Sequence, residues 1–183
     1  MLRVPIPPTY FKNGFCLTGQ KLKMKEKYIK EAKPYWEGGN PLKAGELLYE
    51  HIHQSYRPLW ALEVLELCMP LTKDIAGIDE LCNIVRSPNR WPEAHEAFSS
   101  VRQLTLETED SGSDPIYTGV LYLAENVAKV TYNASGEPAT FDYNSGYRIV
   151  SNLRYIVDQL GDKAFENKAW YIVSCEKPAF KNA

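Results

Sequence analysis

Along most of this chain apolar residues return every three or four positions, the spacing that lines one face of an α-helix. Leu42, Leu48, Ile52 and the neighbouring Leu47 share a face over about residues 41–55. Leu59, Leu62, Leu65 and Met69 mark a second helix closed by Pro70, and Ile75, Ile78, Cys82 and Val85 a third ended by Ser87-Pro88. Ala94, Phe98, Val101 and Leu104 or Thr105 give a fourth. From Asp114-Pro115 to about Asn133, the buried side is read as Leu121, Ala124, Ala128 and Thr131, helped by Val120 and Val127. The clearest stripe is Ile149, Val150, Leu153, Ile156, Val157 and Leu160, with Gly161 where a left-handed cap residue belongs. Asp162 caps a last helix carried by Phe165, Ala169, Ile172 and Val173, while a thinner Lys-rich helix over residues 20–33 offers Leu22, Ile29 and Ala32. A strand competes with helix over residues 127–132 and 170–174.

Prolines punctuate the pattern. Pro41, Pro58, Pro92 and Pro115 each precede an apolar repeat, and proline suits the first helical turn, where its missing N–H has no partner to lose. Asn40, after Glu37-Gly38-Gly39, is placed to cap the helix that Pro41 opens. The prediction is an all-α fold, a single irregular antiparallel bundle of about seven or eight helices. Its organisation is read as an irregular arm over residues 1–19, anchored by Tyr10, Phe11 and Phe15, a helical domain over 20–178, and a frayed tail over 179–183. Asp110-Ser111-Gly112-Ser113-Asp114 reads as a flexible loop. No repeat near 34 residues restates the Gly39–Tyr49 pattern, which argues against a solenoid.

Charge changes this picture in one respect. Residues 1–43 carry nine Lys or Arg against three Asp or Glu, and residues 44–110 carry five against twelve. The basic stretch (Lys21, Lys23, Lys25, Lys27, Lys30, Lys33) raises a nucleic-acid reading, but so acidic a body after it makes nucleic acid an unexpected partner. Glu46, Glu50, Glu63, Glu66, Asp79, Glu80, Glu93 and Glu96 fall on successive helices and form a negative patch if those helices turn the same way. Cys16, Cys68, Cys82 and Cys175 show no paired spacing, and Cys68 and Cys82 sit among apolar positions. With no apolar run of membrane-spanning or signal-peptide kind, a cytoplasmic location and no membrane partner are expected.

Candidate chemistry is thin. Glu46, Glu50 and His53 at i, i+4, i+7 share one face of the 41–55 helix, and Glu50-His51-Ile52-His53 is half of a di-iron carboxylate pattern, so a metal-dependent helical-bundle enzyme is one reading. There are three histidines, no Gly-rich phosphate loop and no nucleophile motif, so no cofactor is assigned and binding is expected rather than catalysis. Tyr143, Tyr147, Arg148, Asn152 and Tyr155, with Tyr132, Asn133, Asn144 and Arg154 nearby, combine rigid amphipathic rings, amides and planar cations, as contact surfaces do. The expectation is therefore a non-enzymatic module that binds another protein, or a second copy of itself. It would use that Tyr/Asn/Arg corner or the acidic faces at Glu63 and Glu66. Bacterial immunity or antitoxin-like inhibitors share this general character, an analogy and no more.

Overall fold

The computed structural model describes residues 19–112, 114–138 and 141–174, the side chains of 19–25 and 110 excepted. Within them lie eight α-helices and no strand: α1 (Gly19–Glu37), α2 (Pro41–Tyr49), α3 (Arg57–Cys68), α4 (Ile78–Arg86), α5 (Ala94–Ser111), α6 (Pro115–Ala134), α7 (Ser145–Leu160) and α8 (Lys163–Val173). The fold is the all-α bundle that the periodicity predicts. The helix reading of residues 127–132 and 170–173 holds, because both runs continue helices begun upstream. The readings of the N-terminal arm, of Cys16 and Cys175, and of the tail beyond residue 174 lie outside the described residues.

Local chemistry explains most of the boundaries. Pro41 and Pro115 open α2 and α6, and Pro58 is the second residue of α3. The Asn40, Asp114 and Asp162 side chains each accept a hydrogen bond from a first-turn backbone N–H. Gly161 closes α7 at φ 63°, a left-handed conformation that a residue with a Cβ adopts only with strain. Pro92 departs from expectation: it belongs to a 3-10 stretch, Pro88–Glu93, and α5 starts two residues later at Ala94.

Other boundaries move too: Ile75 lies ahead of α4, which starts at Ile78, and Met69 falls in a 3-10 turn after α3. α1 runs past Pro34 to Glu37 and so places Trp36 in the core, 1% exposed. Lys30 and Pro34 both face solvent, so the hydrogen bond that proline cannot make is missing on the wet side of the helix. α2 ends at Tyr49, and a 3-10 turn, Gln54–Tyr56, leads into α3, so the helix read over 41–55 is in fact two short pieces. Leu42 accordingly lies exposed, while Ile52 is buried from outside the helix. α5 continues through Ser111, which makes the first two of the expected loop's five residues helical, and Gly112 at φ 65° ends it.

One contiguous cluster of buried side chains draws on all eight helices. α6 lies at its centre, packed most extensively on α7 and α5, with α3 behind it; α2 is wedged between α7 and α1. α3 is buried on nearly every side through Trp60, Ala61, Leu62, Val64, Leu65, Leu67 and Cys68, a pattern for a helix surrounded by others. Cys68 and Cys82 are buried free thiols, pushed up to about 12 and about 11 by burial, so they act as small apolar groups.

Two polar hubs join helices. The buried Glu125 of α6 pairs with Arg102 of α5 at 3.2 Å and Lys129 at 4.0 Å. Arg154 of α7 pairs with Asp158 at 2.6 Å and with Glu166 of α8 at 2.9 Å, its guanidinium 5.2 Å from the Trp36 ring. The hydrogen bond from Lys163, with the one from Arg154, holds the Glu166 carboxyl below the ordinary value of 4.5. A group whose folded pKa is depressed gives stability above its unfolded value and loses it as pH falls through the folded one. Glu166→Gln is therefore expected to cost stability near neutral pH, and its deficit in urea melts should shrink below about pH 4.

Candidate binding surface

Two glycines bring α2 and α7 into backbone contact. A Cβ on Gly45 would lie 2.5 Å from the Tyr147 carbonyl oxygen, and one on Gly146 would lie 2.3 Å from the Tyr49 ring. The close approach sinks Tyr49, only 4% exposed, beneath the turn that precedes α7. Around it stand Trp60 at 5.9 Å between ring centroids, Tyr143 at 6.1 Å and Tyr147 at 5.9 Å, the last two edge-on. Edge-on packing sets the positive rim of one ring against the negative face of another.

Arg57, the first residue of α3, covers this group. Its guanidinium carbon lies 4.1 Å from the centroid of Tyr49 and 5.7 Å from that of Tyr143. Its Nε donates to the Ile52 carbonyl at 3.0 Å, and Nη1 donates to the Tyr143 hydroxyl at 3.3 Å. Glu50, just past the end of α2, accepts from the Tyr143 hydroxyl at 3.2 Å with one carboxylate oxygen and from Tyr147 with the other. Burial pushes the Tyr49 phenol up to about 12. Burial, with Glu50 second, raises that of Tyr147. Both phenols stay protonated near neutrality, and that of Tyr147 donates to Glu50. The Tyr143 ring meanwhile stays 52% exposed. The arrangement is a rigid aromatic knob with its polar groups already aligned, built from stretches about ninety residues apart in the chain.

The structure thus brings together Tyr143 and Tyr147 from the expected contact residues, and Arg148 joins at the edge through Asp142 at 3.3 Å. Asn152 is half-buried, and Tyr155 lies farther along α7, where its ring would touch a Cβ on Gly119 of α6 at 3.3 Å. Those two do not belong to the knob. Tyr49, Arg57 and Glu50 do, yet the sequence offered no sign of Tyr49 or Arg57 as contact residues. The available signal was the pair of glycines inside helical patterns, Gly45 and Gly146, which mark a close backbone approach.

The carboxylates read as metal ligands are otherwise engaged. Glu46 pairs with Lys43 at 2.9 Å and Glu50 holds the two tyrosines. His53 lies beyond the end of α2 with its Nδ1 2.8 Å from the Ser55 hydroxyl, so the helical face needed for an i, i+4, i+7 set stops short of it. Among the described residues no group of three His, Cys, Asp or Glu side chains is placed to hold a metal ion. On the acidic faces Glu66 pairs with Arg86, and Arg90 bridges Glu80 and Glu93 at 2.6 Å each, so these three carboxylates carry their own counter-charges. Among the described residues no helix is long and apolar enough to cross a membrane.

No family model, no curated protein and no solved structure matches this chain.

Proposed function

We propose that this chain works by binding another protein, and that the knob around Tyr143 is its contact surface. The observation that carries the reading is a large ring left half in solvent while its hydroxyl, its edge and one face are all fixed by Glu50, Tyr49, Tyr147 and Arg57. A pre-positioned tyrosine loses little conformational freedom on association, the condition under which an aromatic anchor contributes most. A planar cation and a carboxylate beside it supply orientation. The acidic faces suit this role less well, because Arg86 and Arg90 already neutralise Glu66, Glu80 and Glu93.

Tyr143→Ser should keep the fold and lose a specific partner. Leu106→Ser, at a similarly exposed apolar side chain on α5 (46%), should keep both. The check is affinity capture from the native host with the wild-type chain and both variants as bait, with thermal melts as the folding control. A partner retained by Leu106→Ser and lost by Tyr143→Ser is the expected result. Equal retention by the two variants would place the contact elsewhere.

A further inference from the structure

Two residues before Tyr143 the chain is held a second time, by rings that the knob does not use. The Phe141 ring lies edge-on to Phe98 with centroids 4.7 Å apart, near-parallel to His95 at 5.4 Å, and edge-on to Tyr132 at 5.5 Å. His95 and Tyr132 also touch, at 5.3 Å. Asn133 Nδ2 donates to the Phe141 carbonyl at 3.4 Å. His95 and Phe98 belong to α5 and Tyr132 to α6, whereas Tyr143 is held from the end of α2 and the start of α3.

A single residue, Asp142, separates the two attachments, and it is tied down at every polar atom that the contacts describe. Its Oδ1 accepts the Asn144 N–H at 3.0 Å, its carbonyl accepts the Ser145 hydroxyl at 2.7 Å and N–H at 3.2 Å, and its Oδ2 accepts Arg148 at 3.3 Å. A link this short and this bonded passes displacement on instead of absorbing it.

We propose that residues 141–147 form a strap with two clips in series, in which Phe141 is the positioning residue that keeps Tyr143 and Tyr147 on Glu50. Both clips are made of several contacts: rings of α5 and α6 around Phe141, and around Tyr143 the Tyr49 and Tyr147 rings, the Arg57 guanidinium and the Glu50 carboxylate. The polar contacts of the second clip are half in water, where solvent replaces them at little net cost, whereas water does not replace the ring contacts of Phe141. Losing the seat on α5 and α6 should therefore loosen the knob. Its consequence for partner binding rests on the reading given above; the strap itself is testable without a partner.

The test is amide hydrogen exchange on the purified full chain, comparing wild type with Phe141→Ala, His95→Ala, Phe141→Tyr, Glu50→Ala and the Phe141→Ala/Glu50→Ala double variant. The reporting amides are Tyr147 and Arg148, whose N–H groups bond to the Asn144 carbonyl at 3.0 and 3.1 Å. Phe141→Ala should speed their exchange about tenfold or more and leave buried α6 amides such as Val127 unchanged. Phe141→Tyr keeps the ring and should stay within about twofold of wild type. Adding Glu50→Ala to Phe141→Ala should change little, because the second clip has already let go. His95→Ala removes one exposed wall of the seat and should give about threefold at the same amides. It decides the matter if Phe141→Ala loosens the whole bundle. Unchanged rates at Tyr147 and Arg148 in His95→Ala overturn the proposal, as do effects of Phe141→Ala and Glu50→Ala that simply multiply. A partner that ignores Tyr143 would sink the binding reading and leave these exchange rates as they are.

Discussion

Gly146→Ala should lower stability by about 3 kcal/mol, the upper end of what overpacking costs, and so reduce Tm by about 6–12 °C. The sign alone is informative. Within a helix, glycine to alanine ordinarily stabilises by about 0.5–1 kcal/mol, because alanine has less backbone freedom to lose. Here the new methyl would lie 2.3 Å from the Tyr49 ring, and that ring is confined by Trp60, Tyr147 and the Arg57 guanidinium. Tyr49→Ala in the same chain should recover part of the loss, so the double variant is more stable than the sum of the singles predicts. Gly45→Ala should be damaging without such rescue, because its methyl meets the Tyr147 backbone carbonyl at 2.5 Å and no side chain can step aside. Urea unfolding of the set measures both effects. Gly146→Ala within about 0.5 kcal/mol of wild type would mean that α2 and α7 do not approach as described.

Trp36→Ala should cost about 3–5 kcal/mol, the range for deleting a buried tryptophan side chain, and should release α1 in particular. Trp36 is 1% exposed, packs on Trp170 of α8 at 5.8 Å and lies under the Arg154 guanidinium. α1 otherwise packs extensively only on α2, and it contains Pro34. A nineteen-residue helix with an internal proline and no packing surface is not stable alone in water. The variant should therefore lose far-ultraviolet helical signal even under conditions where the rest stays folded. Trp36→Phe should restore most of it. Loss of stability without loss of helical signal would show that α1 is held by other contacts.

What could be read from the sequence was local. The α7 stripe from Ile149 to Leu160, the α6 face from Val120 to Thr131 and the caps at Asn40, Gly161 and Asp162 all declare themselves through spacing and side-chain chemistry within one element. Errors arose where a local signal was ambiguous. Pro34 looked like the end of α1, but a solvent-facing proline can ride inside a helix when the bond it forfeits is on the exposed side. Ile52 extended the apolar period of α2 past Tyr49, because a buried residue in a turn falls on the same spacing as one in a helix. That slip carried His53 onto a helical face it does not occupy.

The knob was half legible. Tyr143, Tyr147 and Arg148 stood out by composition and proximity in sequence. Tyr49, Glu50 and Arg57 are the groups that fix Tyr143, and they lie some ninety residues away, where no periodicity connects them. Only packing of α2 against α7 creates that neighbourhood, and only two small residues, Gly45 and Gly146, hint at it.

The central claim is that the outer surface at Tyr143 is where a partner sits, and site-specific photo-crosslinking in the living host addresses it most directly. A benzophenone amino acid would replace Tyr143, Tyr155 and Leu106 in turn, each of which presents an exposed apolar side chain. The account predicts one discrete protein adduct from position 143 and none from 106 or 155. Adducts from 155 or 106 with none from 143 would contradict it.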